Sequence, residues 1–212
     1  MRSETQTVDQ SRPSFIEQAR RAQIIDCAIE AIAELGFAQA SLAQIAKRAG
    51  VSTGVTLYYF SGKDELIRAV AAHVFRTGEA FIRPRVDAQE GPAGALATFI
   101  SASVAFIAEK PALPRAMMNI MRAGVDQGGG PRFDPGITAA RREGFESILA
   151  WGQREGVFRP FDVRVMAATI IEVLDFIPSR LALEPDLDLT AYAAELVELF
   201  RRATRADDPA KE

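Results

Sequence analysis

The fold of this chain is decided by residues 41–66, SLAQIAKRAGVSTGVTLYYFSGKDEL, which read as two short helices joined by a tight turn and followed by a third helix. Ser41 and Gln44 fit a capping box, in which each side chain caps the backbone of the other residue. Gly50 suits the turn because glycine adopts left-handed backbone without strain. Ser52 is a typical cap for the next helix. A short helix of small residues, held by a second helix, has the dimensions to enter the major groove of DNA.

Charge in this segment also favours a nucleic-acid contact. Residues 41–63 contain three cations and neither Asp nor Glu; the cations are Lys47, Arg48 and Lys63. Lys63 follows an expected Ser61 cap, where a positive charge opposes the helix dipole by roughly 0.3–1 kcal/mol. A DNA phosphate at that helix start would accept hydrogen bonds from the backbone amides and the ammonium together. The alternative is that Lys63 extends into solvent while the following acidic residues satisfy the dipole.

The composition bounds the class of protein. With 212 residues and 48% hydrophobic content, the chain can bury the core of one or two domains. A net charge of −3 excludes a generally basic nucleic-acid binder but leaves room for a local site. The single cysteine, Cys27, cannot form an intrachain disulfide, which is typical of a reducing cytoplasm. The absence of a long uninterrupted apolar run and of a signal-peptide core predicts a cytoplasmic protein with no membrane partner.

Helical periodicity covers nearly the whole chain, and no segment alternates convincingly with period two. The pattern therefore predicts an all-α fold of about nine helices. Residues 1–13 are expected to be a disordered arm, in which Arg2 and Arg12 either follow a minor groove or belong to a plain tail. Gly124–Gly136 is expected to be a loop.

The last two predicted helices, 162–183 and 188–205, are apolar on more than one face, which calls for burial on two sides. One side would face the domain core. The other would face a second copy of the same pair, which gives a four-helix interface of a two-fold homodimer. The alternative is that both faces are buried within one chain. A dimer would double the phosphate contacts of a small DNA-binding head.

The segment IAKRAGVSTGVTLYYFSGKDELIRAV, residues 45–70, strongly resembles the DNA-binding head of the TetR-type (TetR/AcrR) transcriptional regulators. The resemblance is specific over about residues 24–74, and beyond them only helix number and order agree. It implies a helix-turn-helix head, a linking helix and a larger helical domain that binds an effector and dimerises through its last two helices. The resulting division is a 1–13 arm, a 14–66 DNA-binding domain with the linking helix at about 63–82 ended by Pro84, an 83–205 effector-binding and dimerisation domain, and a 206–212 flexible tail.

The resemblance also implies which residues contact DNA. They are Gln44, Ser52, Thr53, Gly54, Thr56, Tyr58, Tyr59 and Lys63. Many members of the family have Gly-Thr-Leu-Tyr early in the recognition helix, whereas here Leu57 occupies the position of that first tyrosine. We therefore expect the phosphate contact at Tyr58, with Tyr59 as a possible second, and we expect Phe60 to pack beneath the head.

An effector pocket is expected between the middle helices of the larger domain. Its candidate residues are Phe99, Ser103, Phe106, Met117, Met118, Met121, Arg122, Phe145, Trp151 and Phe176. Flexible thioethers suit apolar ligands, whereas each aromatic residue could equally belong to the core. Asn119, Arg122 and Ser103 are candidate polar anchors. Glu172 and Asp175 share a helical face, so they either attract a cationic ligand, reach solvent or pair with Arg180.

The sequence lacks a strand-associated phosphate loop, a metal-ligand cluster and a catalytic triad, so we expect neither an enzyme nor a cofactor or metal. The leading hypothesis is a ligand-responsive repressor that a small, largely apolar effector releases from a palindromic double-stranded operator. The alternative is a helical effector-binding adaptor whose head contacts protein. An adaptor requires an apolar surface over residues 53–59, and a regulator a positive one.

Overall fold

The computed structural model describes residues 14–124 and 135–206. The predicted arm 1–13, most of the predicted loop Gly124–Gly136 and the tail beyond Ala206 lie outside these residues. Within the described ranges the chain forms nine helices and no strand, which confirms the all-α fold class. The helices are α1 (Phe15–Leu35), α2 (Leu42–Arg48), α3 (Thr53–Tyr59), α4 (Lys63–Asp87), α5 (Pro92–Glu109), α6 (Ala112–Arg122), α7 (Pro135–Arg154), α8 (Val163–Leu183) and α9 (Leu189–Thr204).

The helix-turn-helix forms through local capping. The Ser41 hydroxyl accepts a hydrogen bond from the Gln44 amide at 3.2 Å, and the Ser52 hydroxyl caps α3 in the same way. The complete reciprocal capping box is found at Ser14 and Glu17, at the start of α1. Gly50 has φ +65°, so the turn between α2 and α3 uses the left-handed conformation that glycine adopts without strain.

The linking helix α4 differs from its predicted bounds at both ends. Its N-cap is Gly62 and not Ser61, because the Ser61 amide and hydroxyl both donate to the Glu65 carboxylate at 2.7 Å. At the other end the helix continues through Pro84 to Asp87. A proline removes one hydrogen bond to the preceding turn, and a position so close to the end of the helix leaves few further bonds to lose. At 25 residues, α4 is about 37 Å long.

The buried residues form two cores. The first is formed by the first four helices, α1, α2, α3 and α4, and it is completed by Ala116, Met117 and Ile120 from α6. The second lies among α5, α7, α8 and α9 in the larger body. Helix α5 is at the centre of that body, packed against α4, α7, α8 and α9. Although α5 is long and apolar enough for a membrane span by composition, half of it is buried, as expected of a core helix.

Candidate DNA-binding face and effector cavity

The orientation of α3 is fixed by two buried residues, one in the middle of the helix and one at its C-cap. Thr56 is fully buried and Phe60 is 1% exposed, so this side of the helix faces the head core. The Arg21 guanidinium covers the Phe60 ring at 4.7 Å, and the expectation that Phe60 packs beneath the head is thereby confirmed. The opposite side of α3 is exposed and consists of Thr53, Gly54, Val55, Leu57 and Tyr58.

Thr56 was expected to face DNA, and the structure contradicts this. Its side chain has no exposed surface, and its hydroxyl lacks a hydrogen-bond partner among the described residues. The Ser52 cap fixes where α3 begins, and position 56 then lies one turn later, on the inner side. Of the other predicted contacts, Gln44, Ser52, Thr53, Gly54 and Tyr58 are exposed.

The two tyrosines of α3 have different environments. Tyr58 is 74% exposed, and its hydroxyl lies 3.5 Å from the Glu17 carboxylate at the start of α1. Tyr59 is half-buried and packs against the head core, with its ring edge-on to that of Tyr58 at 5.1 Å between centroids. Tyr58 is thus the tyrosine that is open to a phosphate.

Lys63 is held by the head itself. Its ammonium donates to the Phe37 carbonyl oxygen at 2.7 Å and lies 4.2 Å from the centre of the Phe37 ring. This contact with the chain that follows α1 explains a cation at a helix start without a bound phosphate. It joins residues 26 positions apart, so sequence spacing could not reveal it.

One of the three cations counted in the sequence, Arg48, is paired with carboxylates of the head itself. Arg48 pairs with Glu30 at 3.2 Å and more closely with Glu34, both on α1. The hydrogen bond with Glu34 is the main reason why the pKa of Arg48 is raised above its ordinary value. Lys47, on the same helix, is exposed. The outer face of α3 carries no charge at all, so positive charge lies beside that face and not on it.

A cavity of about 590 Å³ lies in the body, between α4, α5, α6, α7 and α8. Six of the ten predicted effector residues line it: Phe99, Ser103, Phe106, Met117, Met118 and Met121. These side chains come from α5 and α6 and form an apolar wall. The Ser103 hydroxyl donates to the Phe99 carbonyl oxygen at 2.7 Å, which leaves its oxygen lone pairs as the acceptor on that wall.

The other four predicted residues lie elsewhere. The Arg122 guanidinium donates to the Ser179 hydroxyl at 3.0 Å, outside the cavity lining. Phe145 is fully buried beneath Phe99, with ring centroids 3.9 Å apart, so it supports the wall without reaching the cavity. Trp151 is half-buried and packs against the body core. Phe176 is 56% exposed on α8, because the cavity-lining residues of that helix lie on a different face.

The contributions of α4 and α7 to the cavity were not expected from the sequence. The linking helix α4 lines the cavity from Val74 to Asp87, and Gly78 lies next to the Phe106 ring. Helix α7 contributes residues including Gly144, next to the Phe99 ring. A glycine in the middle of a predicted helix was the available signal, because such a glycine often has a packing reason.

The charged residues of the cavity are largely paired. Asp175 forms a close ion pair with Arg141 of α7, and Arg180 pairs with Glu184 at 2.9 Å, so the alternative of an Asp175–Arg180 pair is wrong. Arg83 pairs with Glu79 at 3.3 Å. Both cavity-lining guanidiniums therefore have a carboxylate partner within the lining.

Helix α6 touches both the cavity and the head. Met117, Met118 and Met121 point towards the cavity, while Asn119 donates from its side-chain amide to the Ile32 carbonyl oxygen of α1 at 2.8 Å. Asn119 was a candidate ligand anchor, and this bond places its amide at the head instead. The described residues hold no group of three His, Cys, Asp or Glu side chains suited to a metal ion.

A helix-turn-helix with an exposed second helix, mounted on a helical body whose cavity has an apolar wall, is typical of DNA-binding regulators with an effector domain. The family model described as bacterial regulatory proteins, tetR family, matches residues 24–70. The head of this chain is therefore a TetR-type DNA-binding domain, and the nine-helix fold agrees with that family, whose members are generally not enzymes.

Two curated relatives each match less than half of this chain. The HTH-type transcriptional regulator BetI of Burkholderia cenocepacia is 38% identical over 89 residues, which cover 42% of this chain and 46% of that protein. BetI 1 of Chromohalobacter salexigens is 40% identical over 78 residues, 36% of this chain and 39% of that protein. The chain thus spans less than half the length of these curated relatives.

Solved structures match over most of the chain at low identity and show the fold. The fatty acid degradation regulator FadR of Bacillus halodurans has a TM-score of 0.76 at 21% identity, covering 89% of this chain and 96% of that one. FadR of Bacillus subtilis in complex with stearoyl-CoA has a TM-score of 0.74 at 23% identity, covering 84% and 96%. AibR in complex with isovaleryl coenzyme A and operator DNA has a TM-score of 0.73 at 16% identity, covering 85% and 97%.

Proposed function

We propose that this chain is a cytoplasmic, homodimeric repressor that binds a palindromic double-stranded operator and is released by a small, largely apolar effector. The observation that carries the proposal is the helix-turn-helix geometry, in which α3 buries Thr56 and Phe60 against the head and leaves its opposite side exposed. That side is uncharged and not positive, so the phosphate contacts of a regulator would have to come from residues beside it, such as the exposed Lys47. That face is small enough at Gly54 for close approach to bases, and Tyr58 lies at its edge for a backbone contact.

The cavity supports the apolar character of the effector. Its wall is made of phenylalanine and methionine side chains, and methionine adapts its shape to the ligand. Both guanidiniums in the lining already pair with a carboxylate, which reduces the positive charge that they offer to an anionic group. Two further lining carboxylates, Asp87 and Glu143, make the net charge of the described lining negative, which favours neutral or cationic ligands over polyanions.

The outer surfaces of α8 and α9 support a homodimer. Val165 and Phe176 of α8 are 64% and 56% exposed, and Leu199 of α9 is 57% exposed. Large apolar side chains exposed on two terminal helices are typical of a surface that a second copy covers. A two-fold pair of heads would then place two α3 helices on successive half-sites.

The route from effector to DNA runs through α4 and α6. Both helices line the cavity and both contribute to the head core, since α4 supplies Val70 and Val74 and α6 supplies Ile120. An effector that displaces either helix changes the position of the head. A coupling of 1–3 kcal/mol would weaken operator binding about 5- to 150-fold.

The proposal is tested by selecting double-stranded DNA from a random library with the full chain, then measuring affinity by fluorescence anisotropy over a range of salt. We expect a palindromic sequence, bound by two chains with a steep salt dependence. A thermal-shift screen of apolar amines, neutral apolar compounds and fatty acyl compounds then identifies ligands, which should weaken the operator complex. Failure to enrich any DNA sequence would refute the proposal.

The exposed Val55, Leu57 and Tyr58 also suit the second candidate, an adaptor whose head contacts protein, because that hypothesis requires an apolar surface over residues 53–59. The same selection separates the two. An adaptor enriches no DNA sequence, whereas a regulator enriches a palindrome.

A further inference from the structure

Leu57 is an exposed apolar side chain that does not belong to the core of the head. It is 47% exposed on α3, and it lies outside the head core, against which its neighbour Tyr59 packs. Thr53 and Gly54 precede it by four and three residues, so these three positions share one side of the helix. An exposed leucine beside a glycine forms a small apolar surface on the side of α3 that is open to a partner.

The chemistry of α3 restricts how it can read DNA. The helix has the sequence TGVTLYY and contains no Arg, Lys, Asn, Gln, Asp or Glu. The side chains that read guanine, adenine or cytosine by hydrogen-bond pairs in the major groove are therefore missing from it. The apolar feature of that groove is the 5-methyl group of thymine, and an aliphatic side chain recognises it by contact.

We propose that Leu57 is a specificity-determining residue that selects thymine by packing against its 5-methyl group. This inference rests on the proposed function, because it requires that α3 enters the major groove. Gly54, three residues earlier, exposes backbone next to Leu57 and lets the helix come close enough for an isobutyl group to reach a base edge. Each half-site would then contain one thymine whose methyl group contacts Leu57.

The test is a double-mutant cycle between protein and DNA. The operator obtained by selection is resynthesised with each thymine replaced in turn by uracil, in both half-sites, which removes only the methyl group. For the unmodified protein, uracil at one symmetric position should weaken binding about three- to tenfold per half-site. For Leu57→Ala the same replacement should cause almost no further loss, because the contact is already absent.

Val55→Ala is the matched control. Val55 is 37% exposed on the same helix but lies about 160° around it from Leu57, so it cannot contact the same methyl group. This variant should keep the full thymine-to-uracil difference at the position assigned to Leu57. An equal uracil penalty in the unmodified protein and in Leu57→Ala at every thymine would overturn the inference while leaving DNA binding intact. Failure to obtain an operator at all would instead refute the proposed function.

Discussion

The replacement Gly54→Ala separates the stability of the head from its contact with DNA. Gly54 lies on the exposed side of α3, within a regular helix. A Cβ atom added there would have the Ser52 hydroxyl oxygen at 3.7 Å as its nearest neighbour, which is an ordinary van der Waals contact. The protein therefore accommodates alanine at this position without rearrangement.

The two expected effects have opposite signs. Alanine in place of glycine inside a helix stabilises the fold by about 0.5–1 kcal/mol, which raises the Tm of a chain of this size by about 1–4 °C. The added methyl group projects from the face that must approach the bases. Overpacking of a close interface costs about 1–3 kcal/mol, so we expect operator affinity to fall about 5- to 150-fold.

Gly152→Ala provides the contrast. At this buried position of α7 the added Cβ atom would lie 1.9 Å from the Phe158 ring, so the ring or the helix must move. We expect a loss of about 1–3 kcal/mol in stability for the same chemical change. Thermal unfolding and fluorescence anisotropy at one salt concentration measure both quantities. Unchanged operator affinity in Gly54→Ala would refute close approach of α3 to DNA, and a lower Tm would refute the helical geometry assigned to Gly54.

Three further predictions concern the head and the outer surface of the body. Lys63→Met should lower the free energy of unfolding by about 1 kcal/mol, because the ammonium loses its carbonyl and ring partners, and should leave the salt dependence of operator binding unchanged. Lys47→Met should instead leave the free energy of unfolding unchanged and make the salt dependence of operator binding shallower. A shallower salt dependence for Lys63→Met alone would show that its ammonium reaches a phosphate. Phe176→Glu should convert the proposed dimer to monomers in analytical ultracentrifugation. Ile16→Glu, at an exposed site on the head, should leave the dimer intact. A dimeric Phe176→Glu protein would exclude α8 from the interface. Hydrogen bonds from Ser61 lower the pKa of Glu65. The stability that this carboxylate contributes is therefore present above its ordinary pKa of 4.5 and is lost as the pH falls through the lowered pKa. Glu65→Gln should have a flatter profile of stability against pH across this acidic range, and a profile identical to that of the unmodified protein would contradict the assignment.

Local signals were sufficient for the architecture of the head. Ser41, Gly50 and Ser52 act on residues within one turn of themselves, and the helices begin and end where these caps and turns predicted. The Thr56 prediction was wrong because a seven-residue helix contains too little periodicity to reveal its inner face. Composition favoured an exposed threonine, and tertiary packing placed it inside.

Contacts between distant residues account for the other differences. The partner of Lys63 lies just after α1, and the partners of Arg48 lie in the last two turns of α1, so a count of local charge overstated the positive patch. The cavity was found on α5 and α6 through its phenylalanines and methionines. Its α4 and α7 walls were missed, because a helix read as a rigid connection gave no reason to consider the face that it turns towards the body.

The contribution of α6 to the core of the head has a consequence for how the chain can be divided. Ala116, Met117 and Ile120 complete the core of the head, although they lie about thirty positions or more beyond the end of α4. A fragment that ends after α4 would leave apolar surface of α1 and α4 exposed to water. We therefore expect the helix-turn-helix to be less stable as a fragment than within the intact chain, and the head to unfold together with α6.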